Sequence, residues 1–560
     1  MLNQQVRQRV ITAENFMART VACYRSGMNV YELHDHRRRS YTNTISAVRR
    51  PGISVNFSRE RNTQQADNLL DTHRLYFLGL HHFARFYMAQ RVYLGSIIKF
   101  TGLVITALAL CGPGAIAQAA GETTSNPVNI ILIVADDMDY AGIGATGGND
   151  TQTTNIDSIA KNGALFTQAY VTAPVCGPSR VGILTGRYQD RVGFLTNDGP
   201  HIPETFGLPS SEVLIPEMLK RAGYTSGMVG KWHLGFKPDM VPNAQGFDYF
   251  YGHLLGAHNY FPDNARPAHI FRNRERVSPT KYLTTVFGEE AAQFIRENKE
   301  NPYFLYVPFN AVHAPWQAPK GTIKQFAHIE DKLDRTMAAM LYEMDQSVGT
   351  ILGAVRNNNA EENTLIVFTN DNGGIRGHLP YTNAGMRGGK MDLYEGGIRT
   401  PLLMQWKGKI KAGQRFDKVV STLDLAPTFL AAANTTTTVE LDGVNLLPYL
   451  SGEKSGAPHE ILYWRLIDAP NEKAIRKGDW KAIKPAPEMP WELYNIAVDI
   501  RESKNLASEK PELLKQLRDA WNAWNKNNKG PLFMDKRISV RRQERRKQLE
   551  AKDALTTPTS

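Results

Sequence analysis

The sequence predicts an α/β fold: a large central, mostly parallel sheet flanked by helices, then a smaller C-terminal α+β subdomain with a short antiparallel sheet and a helix. Three observations predict it. Continuous apolar runs of strand length, beginning with 128–135 (VNIILIVA), lack polar alternation and read as strands covered on both faces. Helical stretches separate these runs, and strands alternating with helices call for parallel crossovers. Beyond about residue 455 the elements shorten, marking a change of architecture.

Taken in order, strands are expected at 128–135, 225–229, 303–308 and 364–368, with helices at 211–222, 282–297 and 329–356. Small strands follow at 480–483 and 491–494, then a helix at 511–524. The segment 536–552 is charged, has no apolar stripe and reads as a disordered end. The expected organisation is a catalytic domain at 124–455, a C-terminal subdomain at 456–535 and a tail at 536–560. At 560 residues the chain exceeds one typical domain, and it contains no internal repeat.

Ahead of this lie two segments of different character. Residues 88–119 read as a secretory signal: Arg91 and Lys99 supply positive charge, 100–110 an apolar stretch, and Ala117-Gln118-Ala119 a small-x-small cleavage pattern. The apolar run is short for a bilayer span and meets Gly112-Pro113-Gly114 at once, so no stable membrane anchor is expected. Lipidation at Cys111 is disfavoured by the bulky Leu110 before it. Export, to a bacterial periplasm or the medium, follows. Residues 1–87 have no sustained period; Met88 is well placed as a start, which makes them an artefactual or disordered upstream extension, a real cytosolic extension being the alternative.

The net charge of +11 misleads, because residues 1–87 hold thirteen Arg, no Lys and six acids. The remainder is only mildly basic, and a nucleic-acid partner loses its main support. Of three cysteines, Cys23 and Cys111 precede the expected mature chain, leaving Cys176 alone. An exported chain with one thiol has no internal disulfide framework. That thiol is either a buried apolar filler or a functional group.

Four predicted strands end in polar residues: Asp136 and Asp137 after the first, Lys231 and His233 after the second, His313 soon after the third, Asp371 and Asn372 after the fourth. Ligands in open parallel sheets bind beyond the carboxyl ends of the strands, so residues more than 200 positions apart can share one site. Three carboxylates and an amide suit a hard cation, calcium or magnesium rather than zinc. A double Asp at a strand end also serves as a helix cap, and both readings stand for either pair alone.

The segment Cys176-Gly177-Pro178-Ser179-Arg180, continuing to Leu184-Thr185-Gly186-Arg187, resembles the signature of the formylglycine-dependent sulfatases. In that pattern Cys-x-Pro-x-Arg directs oxidation of the cysteine to formylglycine. Further family motifs follow in order: 223–226 (GYTS) through Gly230-Lys231-Trp232-His233, 368–373 (FTNDNG), Arg387-Gly388-Gly389-Lys390 and Glu395-Gly396-Gly397-Ile398-Arg399. The resemblance runs from about Val128 to Trp524 and is strongest to the arylsulfatase and N-acetylgalactosamine sulfatase branch. It implies an alkaline-phosphatase-like fold and hydrolysis of aryl or carbohydrate sulfate monoesters. It also implies one Ca2+, with Mg2+ second, held by Asp136, Asp137, Asp371, Asn372 and the modified Cys176. The implied catalytic residues are Cys176, Arg180, Lys231, His233, His313 and Lys390, and the implied partner is a formylglycine-generating or sulfatase-maturating enzyme.

Departures and alternatives accompany the resemblance. Asn370 stands where many relatives have Ser, and His258-Asn259-Tyr260 where a substrate loop often reads His-Asp-Tyr, so the carry-over of His258 is weak. Taken singly, His313 could merely hydrogen-bond a loop, and Lys390 could be a solvated cation among glycines. A phosphate or phosphonate ester hydrolase on the same scaffold, or a catalytically silent binder of sulfated glycans, are the competing functions.

Overall fold

The computed structural model of the protein describes residues 127–148, 152–197, 206–262, 269–375, 383–467, 472–533 and Glu544. The expected extension 1–87, the signal segment 88–119, Cys23, Cys111 and the tail 536–560 apart from Glu544 lie outside the described residues. No described helix is long and apolar enough to cross a membrane.

The main sheet is formed by β1 (Asn129–Ala135), β2 (Ala164–Tyr170), β3 (Thr225–Lys231), β4 (Tyr249–His253), β5 (Ile270–Arg272), β6 (Glu275–Val277), β7 (Tyr303–Pro308), β8 (Thr364–Asn370), β9 (Arg399–Gln405) and β10 (Gln414–Ser421). Their spatial order is β10-β2-β9-β8-β1-β7-β3-β4-β5-β6. The centre, β8-β1-β7-β3-β4, is parallel throughout, and β10 runs parallel to β2. Strand β9 is antiparallel to both its neighbours, and β5 and β6 form an antiparallel edge on β4. The sheet is therefore mixed, with the parallel part at its middle.

Strand β1 explains the unbroken apolar run. Ile131, Ile133 and Ala135 enter one core, while Ile130, Leu132 and Val134 enter the other, all fully buried. Each such Ile or Leu contributes about 1.5–3 kcal/mol of burial. Helices α1 (Thr154–Lys161), α2 (Cys176–Thr185), α3 (Leu283–Glu297), α4 (Lys332–Asn357) and α5 (Leu425–Ala432) cover the sheet. α1, α3 and α4 close the first core, α2 and α5 the second.

Local chemistry moves several predicted boundaries. The helix expected from 329 begins at Lys332, because the Asp331 side chain accepts from the Leu333 and Asp334 N–H groups and caps it there. The helix expected at 211–222 is only Ile215–Lys220; its start is set by Glu217, whose carboxylate accepts the Leu214 N–H at 2.9 Å. Strands β3 and β8 extend two residues beyond expectation, so Lys231 lies on a strand rather than after one.

The C-terminal sheet is an antiparallel meander of β11 (Ile461–Leu466), β12 (Glu472–Lys477), β13 (Trp480–Lys484) and β14 (Glu492–Asn495), covered by α6 (Pro511–Asn525). Ile475, Ala482 and Leu493 pack under Leu517, Trp521 and Trp524 of that helix. The opposite face, with Trp464, Ala474, Ile483 and Tyr494, packs on Tyr170, Val171 and Ile398 of the larger part. Cross-strand pairs Lys481↔Tyr494 and Ile483↔Glu492 put Lys481 and Glu492 on this second face as well.

Candidate active site

The parallel strands β8, β1, β7 and β3 are adjacent, so their carboxyl ends deliver their polar residues to one place. Asp136 N donates to Ala311 O at 2.9 Å and Asp371 N to Ala135 O at 3.1 Å, which laces the three strand ends together. Asp136, Asp137, Asp371 and Asn372 are all completely or almost completely buried. Asp137 adopts a left-handed backbone with φ of 58°, turning its carboxylate back over the sheet edge. Its N–H lies 3.3 Å from Asp371 Oδ1, and its Oδ1 accepts from Asn372 Nδ2 at 2.8 Å.

Cys176 opens α2, and Arg180 follows one turn later on the same helix face. The Cys176 Sγ lies 3.5 Å from Asp136 Oδ1, 3.9 Å from Asp137 Oδ1 and 3.2 Å from Lys390 Nζ. Arg180 donates through Nε and Nη2 to Asp371 Oδ2 at 2.9 and 2.8 Å, and through Nη1 to Lys231 O at 2.8 Å. Lys231 Nζ reaches Asp136 Oδ2 at 2.5 Å. Lys390 Nζ reaches Asp137 Oδ1 at 2.6 Å, although the two lie 253 residues apart in sequence.

The histidines flank this cluster. His313 Nε2 lies 3.5 Å from Asp137 Oδ2. Its Nδ1 is 2.6 Å from Ala314 O, and since a carbonyl only accepts, Nδ1 carries a proton and Nε2 faces the carboxylates. His233 follows Lys231 with a left-handed φ of 62°, and its N–H donates to Leu254 O at 3.1 Å. Its carbonyl oxygen would lie 3.5 Å from a Cβ on Gly177, beside Cys176. His258 stands one layer away, its ring 5.1 Å from that of His253, which pairs with Lys231 across β3 and β4.

Electrostatics follow from packing opposite charges without water. Burial alone would raise the Cys176 thiol, yet the Lys231 and Lys390 ammoniums hold it well below the ordinary thiol range. Burial likewise opposes ionisation of Asp137, but Lys390, His313 and Lys231 bring its carboxyl well below the usual range. Asp371 goes the other way: burial and the charge of Asp136 push it up to about 6 against the pull of Arg180 and Lys231. His313 is lowered by burial and by Lys390, and raised on balance by Asp137 and Asp136.

The donor set fits a hard cation. Asp136, Asp137, Cys176 and His313 offer ligand atoms that all lie within 4.8 Å of one another. Asn372 adds a further oxygen: its Nδ2 is committed to Asp137 and Gly373 O, while its buried Oδ1 has no hydrogen-bond partner among the described residues. A buried acceptor left so is costly unless a cation or water meets it.

The structure thus brings together Asp136, Asp137, Cys176, Arg180, Lys231, His313, Asp371, Asn372 and Lys390, with His233 adjoining and His258 farther out. Sequence reasoning passed over two supports. Asn370, noted only as a departure, donates from Nδ2 to Met138 O at 2.7 Å and accepts the Met138 N–H at 3.2 Å, clamping the loop that carries Asp136 and Asp137. Lys481, Glu492 and Glu502, all buried, hold the chain on either side of Lys390. The available signal was Lys481 itself, alternating with Ile483 on the apolar face of a short strand.

Comparison with known proteins agrees with this geometry. The Sulfatase family model matches residues 128–435, and one described as N-sulphoglucosamine sulphohydrolase, C-terminal, matches residues 389–527. N-acetylgalactosamine-6-sulfatase of Mus musculus is 33% identical over 433 residues, covering 72% of this chain and 79% of that protein. Arylsulfatase A of Homo sapiens is 32% identical over 403 residues, covering 66% and 76%. The crystal structure of Ps i-CgsB in complex with k-i-k-neocarrahexaose is similar with a TM-score of 0.70 and 36% identity, covering 74% of this chain and 96% of that one.

Proposed function

The chain belongs to the sulfatase family and is a sulfuric ester hydrolase; from that premise we propose that it cleaves O-sulfate monoesters of carbohydrates or aryl alcohols using formylglycine made from Cys176. The observation that carries this reading is the setting of Cys176 Sγ, 3.5 Å from Asp136 and 3.2 Å from Lys390. A sugar ester is favoured because one similar protein is named N-acetylgalactosamine-6-sulfatase and another was crystallised in complex with k-i-k-neocarrahexaose.

Hydrated formylglycine at position 176 would supply one hydroxyl to attack sulfur and a second whose deprotonation later expels sulfate. A calcium ion held by Asp136, Asp137, Asp371, Asn372 and the modified residue would polarise the sulfate oxygens and acidify the attacking hydroxyl. The remaining work belongs to the protein's own groups. Lys231 and Lys390 neutralise the sulfuryl oxygens, as fixed cations aimed at developing negative charge do. Arg180 steadies the hydrate and fixes Asp371, with which it shares two hydrogen bonds. Asp371, pushed up to about 6, accepts the proton of the attacking hydroxyl. His313, with its raised affinity for a proton, protonates the departing alcohol, Lys390 being the other cation within reach. His233 takes the proton from the second hydroxyl. Ester and water become alcohol and inorganic sulfate, and the aldehyde is restored.

Because Cys176 is 1% exposed, this reading also requires a maturation enzyme that reaches the segment before the fold closes. The signal-like segment 88–119 supports export, which suits scavenging of sulfate esters outside the cytoplasm. The test is the mass of tryptic peptide 162–180 from protein made in its native host. Conversion lowers it by about 18 Da relative to the thiol. An unmodified thiol in active protein would refute the mechanism.

A further inference from the structure

Lys231 lies on a strand and Arg180 on a helix, whereas Lys390 is borne by a loop, and that loop is tied to the C-terminal sheet as well as to the main one. Residues 387–397 close on themselves through Gly396 N to Arg387 O at 2.8 Å, Gly397 N to Tyr394 O at 2.9 Å and Asp392 N to Gly389 O at 2.9 Å. Toward the larger part the loop is held by the main chain, through Lys390 N to Gly374 O at 2.8 Å and Met391 N to Pro174 O at 2.9 Å, and by Glu395, which accepts from Tyr170 Oη at 2.7 Å and Arg399 Nη1 at 3.2 Å. Side chains at both ends also reach the C-terminal sheet. Arg387 Nη1 donates to Tyr494 Oη at 2.9 Å, and its guanidinium lies 3.8 Å over the Tyr394 ring. Tyr394 Oη donates to Glu492 Oε2 at 2.7 Å. Glu395 receives Lys481 Nζ at 3.0 Å, and its N–H donates to Glu502 Oε2 at 2.7 Å. Lys481 also pairs with Glu502 at 2.9 Å.

We propose that the C-terminal sheet is a positioning device for Lys390, in which Lys481 and Glu492, acting through Glu395, Tyr394 and Arg387, hold the loop that delivers its ammonium to the reacting atoms. The proposal rests on the role given to Lys390 above. Lys481 and Glu395 are completely buried and Glu502 nearly so, and none of the three touches the reactive cluster. Buried ion pairs are weak sources of net stability, since apolar residues of equal volume do as well. Their directional bonds do something apolar packing cannot: they set the height and rotation of the loop. An error of about 1 Å in such a group can cost about 10²-fold in rate.

The experiment compares the full-length protein with Lys390→Ala, Glu492→Gln, Tyr394→Phe and Lys481→Met, and with the double variant Lys390→Ala/Glu492→Gln. Rates are measured on a series of aryl sulfates of graded phenol acidity and scaled to the formylglycine content of each preparation. Lys481→Met takes the lysine from buried Glu502 and leaves Glu395 to Arg399 and Tyr170, and it can fail to fold. Tyr394→Phe removes one hydrogen bond, and Glu492→Gln keeps an acceptor for the Tyr394 and Tyr494 hydroxyls while removing the charge that faces Arg387. Lys390→Ala is expected to lower kcat about 10²–10³-fold and to steepen its dependence on leaving-group acidity. Glu492→Gln and Tyr394→Phe should steepen it in the same sense with losses of roughly 10-fold, and Glu492→Gln should cost nothing further when Lys390 is already Ala. A merely structural role would lower all rates in parallel and add to the Lys390→Ala loss; that result overturns the proposal. If Lys390→Ala itself keeps the parent rate and slope, the role of Lys390 falls first, and the positioning with it.

Discussion

Gly373 sits where the chain leaves the Asp371–Asn372 pair, and replacing it with Ala tests how tightly that pair is joined to the Lys390 loop. A Cβ there would lie 1.8 Å from the Gly396 carbonyl oxygen and 2.9 Å from Gly397 Cα, where real Cβ atoms essentially never come within 3.0 Å. Both obstacles are backbone atoms, so no side chain can swing aside and one loop must retreat by more than an ångström. The Gly373 N to Gly397 O hydrogen bond of 3.0 Å would break. Lys390 Nζ, now 2.6 Å from Asp137 Oδ1 and 3.2 Å from Cys176 Sγ, would leave hydrogen-bond range of both. Overpacking of this kind costs about 1–3 kcal/mol of stability. A displacement of about 1 Å in the site costs about 10²-fold in rate, or ~2.7 kcal/mol at 1.36 kcal/mol per decade. The assay is sulfate release from 4-nitrophenyl sulfate by Gly373→Ala, with thermal melting run in parallel. Parent-like rate and melting temperature in the variant would refute the backbone contact and the coupling drawn from it.

Two further outcomes are expected. Dialysis against a calcium chelator should abolish turnover and lower the melting temperature, with calcium restoring both better than magnesium; full activity in the metal-free protein would remove the cation from the reading. His459 donates to Asp424 Oδ1 at 2.6 Å; burial lowers its pKa, but Asp424 outweighs burial and raises it. The stability it contributes is fully present below the unfolded value near 6.5 and is lost as pH rises through the higher folded value. His459→Gln should therefore cost about 1.5–3 kcal/mol at pH 6 and distinctly less at pH 9 in denaturant unfolding, and an equal cost at both would contradict the pairing.

The parts of the fold that were legible are those whose burial is uniform. Residues 128–135 read as a strand because both faces need apolar side chains, and the polar residues at successive strand ends read as a site because parallel strands point the same way. Strands β2, β9 and β10 were not read, nor that β9 runs against both its neighbours, since pairing is decided by partners far away in sequence. Asp331 shows why a helix boundary shifts: one side chain capturing two N–H groups outweighs several residues of favourable spacing. Asn370 looked like a neutral change beside the Asp371–Asn372 pair because its partner, Met138, is 232 residues away. The ions around Glu395 stayed hidden for the same reason, each being an ordinary charge until the fold removes its water.

The anchors of Lys390 have a consequence in the order of synthesis. Lys481, Glu492 and Glu502 emerge from the ribosome roughly a hundred residues after the loop they hold, and more than three hundred after Cys176. A polypeptide released before these residues lacks the framework that sets this loop. Hydrolytic competence then arrives last, as a property of the finished polypeptide, and early release or proteolytic trimming of the small sheet yields an inert product.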